Sequence, residues 1–258
     1  MIATVPRFEE FAAPSHWRTV DFISDLHLQP GDPATVAAWQ HYLYSTSADA
    51  VFMLGDLFEV WVGDDALAEV GSFEAECASV LRAVAQQRAL FFLPGNRDFL
   101  FGPSAAQRCG LHLLSDPCVL QWGQQRYLLS HGDALCVDDV DYQRFRAVAR
   151  SPAWQAQFLA QPLAQRRTHA RQMRQASEAR KQPAAFYPDV DSASAIHWLQ
   201  AAKADTLIHG HTHRPAEHGL APGLSRWVLT DWDMAAQLPR AEVLRLDSQG
   251  QLQRMALV

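Results

Sequence analysis

Three of the chain's 11 histidines, His209, His211 and His213, alternate within the stretch "LIHGHTHRP". Four other short clusters precede them: "DLH" at 25–27, "GD" at 55–56, "GNRD" at 95–98 and "HGD" at 131–133. Any one of these could arise by chance. Together they offer the carboxylates of Asp25 and Asp56, the amide oxygen of Asn96, and the imidazoles of His27, His131, His211 and His213, with no thiolate. Mixed oxygen and nitrogen donors suit Mn, Fe or Zn in octahedral-like coordination better than a structural zinc site. Seven donors are too many for one ion but enough for two that share a bridging carboxylate. Two divalent charges, less two aspartates and a hydroxide, leave a positive centre that attracts phosphate oxygens. Paired metals also lower the pKa of bound water, from about 15.7 towards ~7 for a single zinc, and clamp an in-line displacement at phosphorus.

Each cluster ends a short apolar, β-prone run, within 19–27, 50–56, 89–98, 126–133 and 206–213. Helical patterns such as "DPATVAAWQHYLYST" and "FEAECASVLRAVAQQ" lie between several of them. The alternation predicts a layered α/β fold, with the polar residues gathered along the carboxyl edge of the strands. Two later runs, "RWVLTDW" and "AEVLRLD", are read as completing a second sheet. Residues 139–185 are rich in Ala, Gln and Arg and read as a helical insert over the strand ends, within a single domain spanning 1–258.

Composition narrows the setting. The four cysteines form no CxxC pair, which fits a reducing compartment and argues against a disulfide framework. Glu9 and Glu10 are out of place in a secretory signal, and no apolar run approaches the ~20 residues that span a bilayer. A cytoplasmic protein is the expectation. The net charge of −6 argues against general nucleic-acid binding. Yet residues 143–182 hold nine Lys or Arg and one acid, so this stretch is +8 and the remainder −14. Such a segment reads as a surface that meets anions. The sequence specifies no oligomeric state.

The ordered set D-x-H, G-D, G-N-R-D, H-G-D and G-H-T-H, from about Thr19 to Pro215, resembles the calcineurin-like binuclear metallophosphoesterases. The resemblance implies a β-sandwich flanked by helices in αββα layers, with a helical cap. It implies that Asp25, His27 and His213 hold one divalent metal, that Asn96, His131 and His211 hold a second, and that Asp56 bridges them. His209 is then a supporting residue. Most of that superfamily has a histidine where this chain has Arg97. Arginine cannot act as an acid at neutral pH, but its fork of donors can clamp phosphate oxygens. That suits a leaving group needing no proton, such as the phosphate half of a pyrophosphate.

Four longer stretches, "GDLFEVWVGDD", "PGNRDFLFG", "SHGDALCVDDVDYQRFR" and "IHGHTHRP", are similar to one branch, the UDP-2,3-diacylglucosamine pyrophosphatase family of lipid A biosynthesis in Gram-negative bacteria. This implies Mn2+ as the metal. It also implies hydrolysis of UDP-2,3-diacylglucosamine to UMP and 2,3-diacylglucosamine 1-phosphate, by hydroxide attack on the α-phosphorus. Catalytic roles fall to Asp56 and Arg97, and substrate contacts to Asn96, Arg97, Asp139, Ser177, Lys181 and His211. The cap would cover the acyl chains, and the enzyme would touch the cytoplasmic face of the inner membrane peripherally. Asp98 and Asp133 are expected to orient ligands, Asp64 and Asp65 to cap a helix, and Trp61 to pack. Arg97 disfavours a general phosphodiesterase or nucleoside diphosphate-sugar hydrolase. Retention of all seven donors disfavours a metal-free binding module.

Overall fold

The computed structural model describes residues 2–180 and 188–258. One six-stranded sheet runs, edge to edge, through β12 (Leu252–Ala256), β11 (Glu242–Asp247), β2 (Thr19–Ile23), β3 (Ala50–Met53), β4 (Ala89–Phe92) and β5 (His112–Leu113). The other runs through β1 (Glu9–Ala12), β6 (Cys118–Trp122), β7 (Gln125–Ser130), β8 (Thr206–His209), β10 (Leu224–Val228) and β9 (Ala216–Ala221). The five site-bearing strands fall into two parallel sets, β2-β3-β4 and β7-β8. Their carboxyl ends therefore share one edge of the sandwich.

Side-chain alternation builds the layers. Val20, Phe22, Phe52 and Phe91 point between the sheets and meet Leu120, Leu129 and Ile208. The rings of Phe52 and Phe91 stack with centroids 4.4 Å apart. The alternate residues Ile23, Val51, Met53 and Phe92 face outward against α1 (Pro33–Ser45), α2 (Phe73–Ala85) and α3 (Pro103–Cys109). Across the molecule, Val119, Leu128 and Leu207 pack on Trp198 and Leu199 of α7 (Ser192–Ala202). Strands buried on both faces read as continuous apolar runs, as these do. Each such side chain contributes about 1.5–3 kcal/mol of burial. The result is the αββα arrangement.

Two elements differ from the sequence expectation. "RWVLTDW" and "AEVLRLD" supply β10 and β11, but they enter different sheets. The β9–β10 hairpin keeps β10 beside β8, whereas the chain then crosses over and β11 pairs antiparallel with β2. The N-terminal stretch has a structural part. Its β1 pairs with β6, Phe11 enters the core 4.7 Å from Phe91, and the Trp198 indole donates to Thr4 O at 3.1 Å.

Between β7 and α7 run three consecutive helices, α4 (Val140–Ala149), α5 (Pro152–Leu159) and α6 (Leu163–Arg180). Asp139 caps α4 by accepting from Tyr142 N, and Ser151 caps α5, which starts with Pro152. Ser177 falls near the end of α6, and Lys181 lies outside the described residues. The basic stretch is not chiefly a free surface. Arg146 and Arg150 reach the buried Asp133, Arg166 grips Asp65, Arg167 meets Glu69 and Glu74, and Arg174 meets Glu59. Carboxylates removed from water need paired cations, and these helices supply the arginines that pair with the acidic body of the chain.

Candidate metal centre

Five of the seven expected donors carry unusual backbone. Asp25, His27, Asp56, His211 and His213 have φ between 49° and 68°; among the described residues Lys203 is the one other non-glycine with positive φ. Each such residue costs roughly 1–3 kcal/mol and persists only where its surroundings over-determine it. Here they do. Asp25 N donates to Gly55 O (3.1 Å), His27 N to Asp56 O (3.0 Å), His211 N to Asp25 Oδ2 (2.9 Å) and Gly210 N to His131 O (3.0 Å). A Cβ on Gly95 would collide with Asp56, and one on Gly210 with Ser24 and Asp25, so glycine lets these loops close on one another.

The seven donors converge. His27 Nε2 and His213 Nε2 face each other at 3.4 Å, and His213 Nε2 lies 3.4 Å from Asp25 Oδ1. Asn96 Oδ1 lies 2.8 Å from His131 Nε2 and 2.7 Å from His211 Nδ1, and His131 Nε2 lies 3.5 Å from Asp56 Oδ1. Asp25, His27 and His213 form one cluster close enough to share an ion; Asp25, Asp56 and His131 form another. By proximity, Asp25 is thus the acid common to both groups. Asp56 lies beside His131, and its charge also acts on His27. Among the described residues Asp25 Oδ1 is buried and accepts no formed hydrogen bond, with His213 Nε2 3.4 Å away. A buried lone pair among facing imidazole nitrogens is a donor set that fits divalent cations. All four cysteines are buried, their thiols pushed up to about 12 by burial, and none joins the centre.

The electrostatics are sharply divided. Burial opposes charge on His131, but Asp56, Asp25 and Asp133 outweigh it and raise its pKa to about 9. Burial, aided by His131, lowers His211 to about 4. Burial favours the neutral acid at Asp25, yet His213, His131 and His27 hold it below the usual carboxylate range. His209 is buried, its pKa lowered to about 3 by burial and then by Arg226. Its Nδ1 lies 2.9 Å from Gly210 O and its Nε2 3.2 Å from Arg226. It touches neither cluster of donors.

The acids flanking the site bind chiefly to backbone groups and arginines. Asp98 accepts from the backbone of Gly95 (2.7 Å), Asp56 (3.3 Å) and Phe58 (3.2 Å), so it holds the loops that carry the expected donors Asp56 and Asn96. Asp133 is turned towards the helices, accepting from the Tyr142 hydroxyl, Arg146 Nε (2.8 Å) and Arg150 (3.3 Å). A carboxylate buried this deeply is satisfied first by the cations that reach it. Asp64 caps α3, accepting from Gly102 N and Ala105 N at 2.9 Å, and Asp65 binds Arg166. Trp61 is buried and packs 4.8 Å from Phe58 and 4.7 Å from Phe101.

Two residues overlooked in the motifs complete the site. Glu59 Oε2 lies 3.2 Å from His27 Nδ1, and Asp231 Oδ2 lies 3.6 Å from His213 Nδ1. Carboxylates behind ligating imidazoles orient the ring and raise its basicity. The available signal was a single acid inside an apolar run: Glu59 within Leu57–Val62, and Asp231 between Leu229 and Trp232. Arg97 sits on the wall, its backbone N donating to Asp56 Oδ1 at 2.8 Å and its Nε 3.9 Å from Asp56 Oδ2. The helices close over this wall: Arg150 donates to Gly95 O at 3.1 Å, and the Tyr142 ring lies 5.9 Å from that of His211.

A strand-end cluster of acids, amide and imidazoles between two helix-flanked sheets defines a metal-dependent hydrolase of phosphate esters or anhydrides, and the chain belongs to the calcineurin-like phosphoesterase family, whose model matches residues 18–215. Within that family three curated relatives share one name. It is 43% identical over 245 residues to the UDP-2,3-diacylglucosamine hydrolase of Stenotrophomonas maltophilia, covering 90% of this chain and 96% of that one. The protein of the same name from Chromobacterium violaceum is 46% identical over 222 residues, covering 83% and 90%. That from Xanthomonas campestris pv. campestris is 44% identical over 254 residues, covering 93% and 100%.

Proposed function

We propose that this hydrolase splits the diphosphate of UDP-2,3-diacylglucosamine, releasing UMP and 2,3-diacylglucosamine 1-phosphate. The observation that carries the reading is Arg97, held against Asp56 on the wall of the donor cluster in the place of a proton donor. The substrate is the one in the relatives' names. Asp25, His27 and His213 would hold one divalent ion, Asn96, His131 and His211 the other, and Asp56 would serve both. Oxygen and nitrogen donors without thiolate favour Mn2+. When bound, the ions supply Lewis acidity at phosphorus and acidify water.

The chain's own groups do the rest. The Arg97 fork holds non-bridging oxygens as charge builds on them. The departing sugar 1-phosphate spreads its charge over its oxygens and needs no proton, so the lack of an acid costs nothing. An alkyl leaving group would suffer. The three helices act as a cap within one domain. Between α5 and α6 a cavity of about 250 Å³, lined by Trp154, Phe158 and Met173 among others, is a seat for acyl chain. By the family resemblance Asp139, Ser177 and Lys181 would contact the substrate, with Asn96, Arg97 and His211 at its phosphate end. Transfer of oxygen-18 from water into UMP on turnover of the substrate tests the reaction.

Metal uptake should depend on pH. Without metal, His131 carries a proton below about 9. An ion must displace that proton, so binding is weakest at low pH, strengthens as pH rises and levels off above about 9. Asp25 also raises the pKa of His213 against its burial, so the slope should exceed tenfold per pH unit at the acid end and fall to about tenfold, one proton released, where His131 alone is protonated. Calorimetric Mn2+ titration between pH 6 and 9 in buffers of differing ionisation enthalpy measures both the slope and the proton.

No helix among the described residues is long and apolar enough to cross a membrane. We place the protein in the cytoplasm, touching the inner membrane through Val140, Phe145 and Val148, which stand exposed on α4. Because Arg146, Arg150, Arg166 and Arg167 are committed to acids, apolar contact should dominate. Flotation with anionic liposomes should be only partly reversed by 0.5 M salt, about three times the ionic strength at which charges are screened beyond ~8 Å. Full release by salt would return the contact to charge.

A further inference from the structure

We propose that Glu59 is a positioning residue that ties the cap to the metal centre. It holds His27 with one carboxylate oxygen and gathers Arg97 and the cap's Arg174 with the other. The inference rests on the assignment of His27 as a metal ligand made above.

Glu59 is only 8% exposed, and a buried carboxylate demands counter-charge. It finds partners on three separate segments. Oε2 lies 3.2 Å from His27 Nδ1, after β2. Oε1 lies 3.6 Å from Arg97 NH1, after β4, and contacts Arg174 of α6. Its backbone is pinned as well: Glu59 N donates to Leu28 O at 3.1 Å, and Leu28 and Phe58 form a parallel bridge. The carboxylate therefore cannot follow one partner without leaving another.

The consequences follow from charge and geometry. The Glu59 carboxylate is 3.2 Å from Nδ1 without a formed hydrogen bond, and its charge favours a proton on that nitrogen, which leaves Nε2 for His213 and Asp25. Two guanidinium groups that would otherwise repel converge on one oxygen, next to the place where a diphosphate must lie. With one negative and two positive charges, the trio keeps an excess positive charge for an anion. Arg174 belongs to a helix of the cap, so displacement of α6 would release one restraint on Glu59 and through it on His27.

Manganese affinity, read from the electron paramagnetic resonance of free Mn2+, separates this from a general charge effect. The full chain is compared with Glu59→Gln, Glu59→Asp, Arg174→Ala and the Glu59→Gln/Arg174→Ala pair, each checked for an unchanged melting transition. Glu59→Gln should weaken Mn2+ binding about 10–100-fold. Glu59→Asp keeps the charge but is one methylene too short, so it should weaken binding by about tenfold too. Arg174→Ala should weaken binding about threefold, and should add nothing in the Glu59→Gln background, because it acts through Glu59. Charge alone gives the opposite sign, since removing a cation near a metal tightens binding. Wild-type affinity in Glu59→Asp, tighter binding in Arg174→Ala, or independent effects in the pair would each overturn the proposal. A wild-type chain that binds no Mn2+ would remove the ligand assignment with it, whereas one that binds Mn2+ but ignores the lipid would remove only the proposed substrate.

Discussion

Replacing Asp56 with alanine should reduce turnover by roughly 10³-fold or more, beyond the loss of a single transition-state donor, and should lower bound metal. Asp56 is 2% exposed, lies 3.5 Å from His131 Nε2, and helps to raise that imidazole's pKa. By proximity Asp25 is common to both groups of donors and Asp56 belongs to the group with His131. In the proposed mechanism Asp56 serves both ions, and its charge favours the protonated form of His27. The alanine variant loses a second function, because Asp56 Oδ1 accepts from Arg97 N. Asp56→Asn separates the two. The amide keeps the acceptor and should keep the loop and the melting transition, yet it removes the charge and should lose most activity and metal. His41→Ala, an exposed position on α1, should change neither. Metal content by mass spectrometry together with kcat/KM decides the matter. An Asp56→Asn variant with full metal and near-normal turnover would defeat the assignment of this acid.

The second large effect concerns Arg97. Arg97→Ala should lower kcat by about 100-fold, in line with about 3 kcal/mol for one donor to developing charge. Arg97→Lys should recover little, because a point charge cannot reproduce a fork of donors. Arg97→His should shift preference instead, restoring a proton donor and raising relative activity on alkyl phosphodiesters. The comparison of UDP-diacylglucosamine with bis(p-nitrophenyl) phosphate across these variants measures the shift. An unchanged kcat/KM in Arg97→Ala would remove this residue from the chemistry.

The donors of the centre were readable because each ends a parallel strand, and strand ends of neighbouring β2-β3-β4 and β7-β8 must meet at one edge. Chemical type and order were enough to group Asp25, His27, Asp56, Asn96, His131, His211 and His213. What pairs with what across the sandwich was not readable. Glu59 and Asp231 become partners of His27 and His213 only when loops from different strands close together. The basic stretch shows the same limit. Its charge can be counted, but Arg166 is buried against Asp65, and Arg146 and Arg150 against Asp133, through contacts more than ten residues apart in sequence. β10 and β11 were legible as strands, while their division between the sheets depended on the β9 hairpin. The short edge strand β5 and the N-terminal β1 carry too little periodic pattern to announce themselves.

Turnover of UDP-2,3-diacylglucosamine by the Mn2+-loaded chain in oxygen-18 water, with both products weighed by mass spectrometry, tests whether the α-phosphorus is the site of attack. A single oxygen-18 is expected in UMP and none in 2,3-diacylglucosamine 1-phosphate, because water attacks the α-phosphorus and the sugar phosphate departs with its oxygens intact. Label in the lipid phosphate, or no cleavage of this substrate by metal-loaded protein, would contradict it.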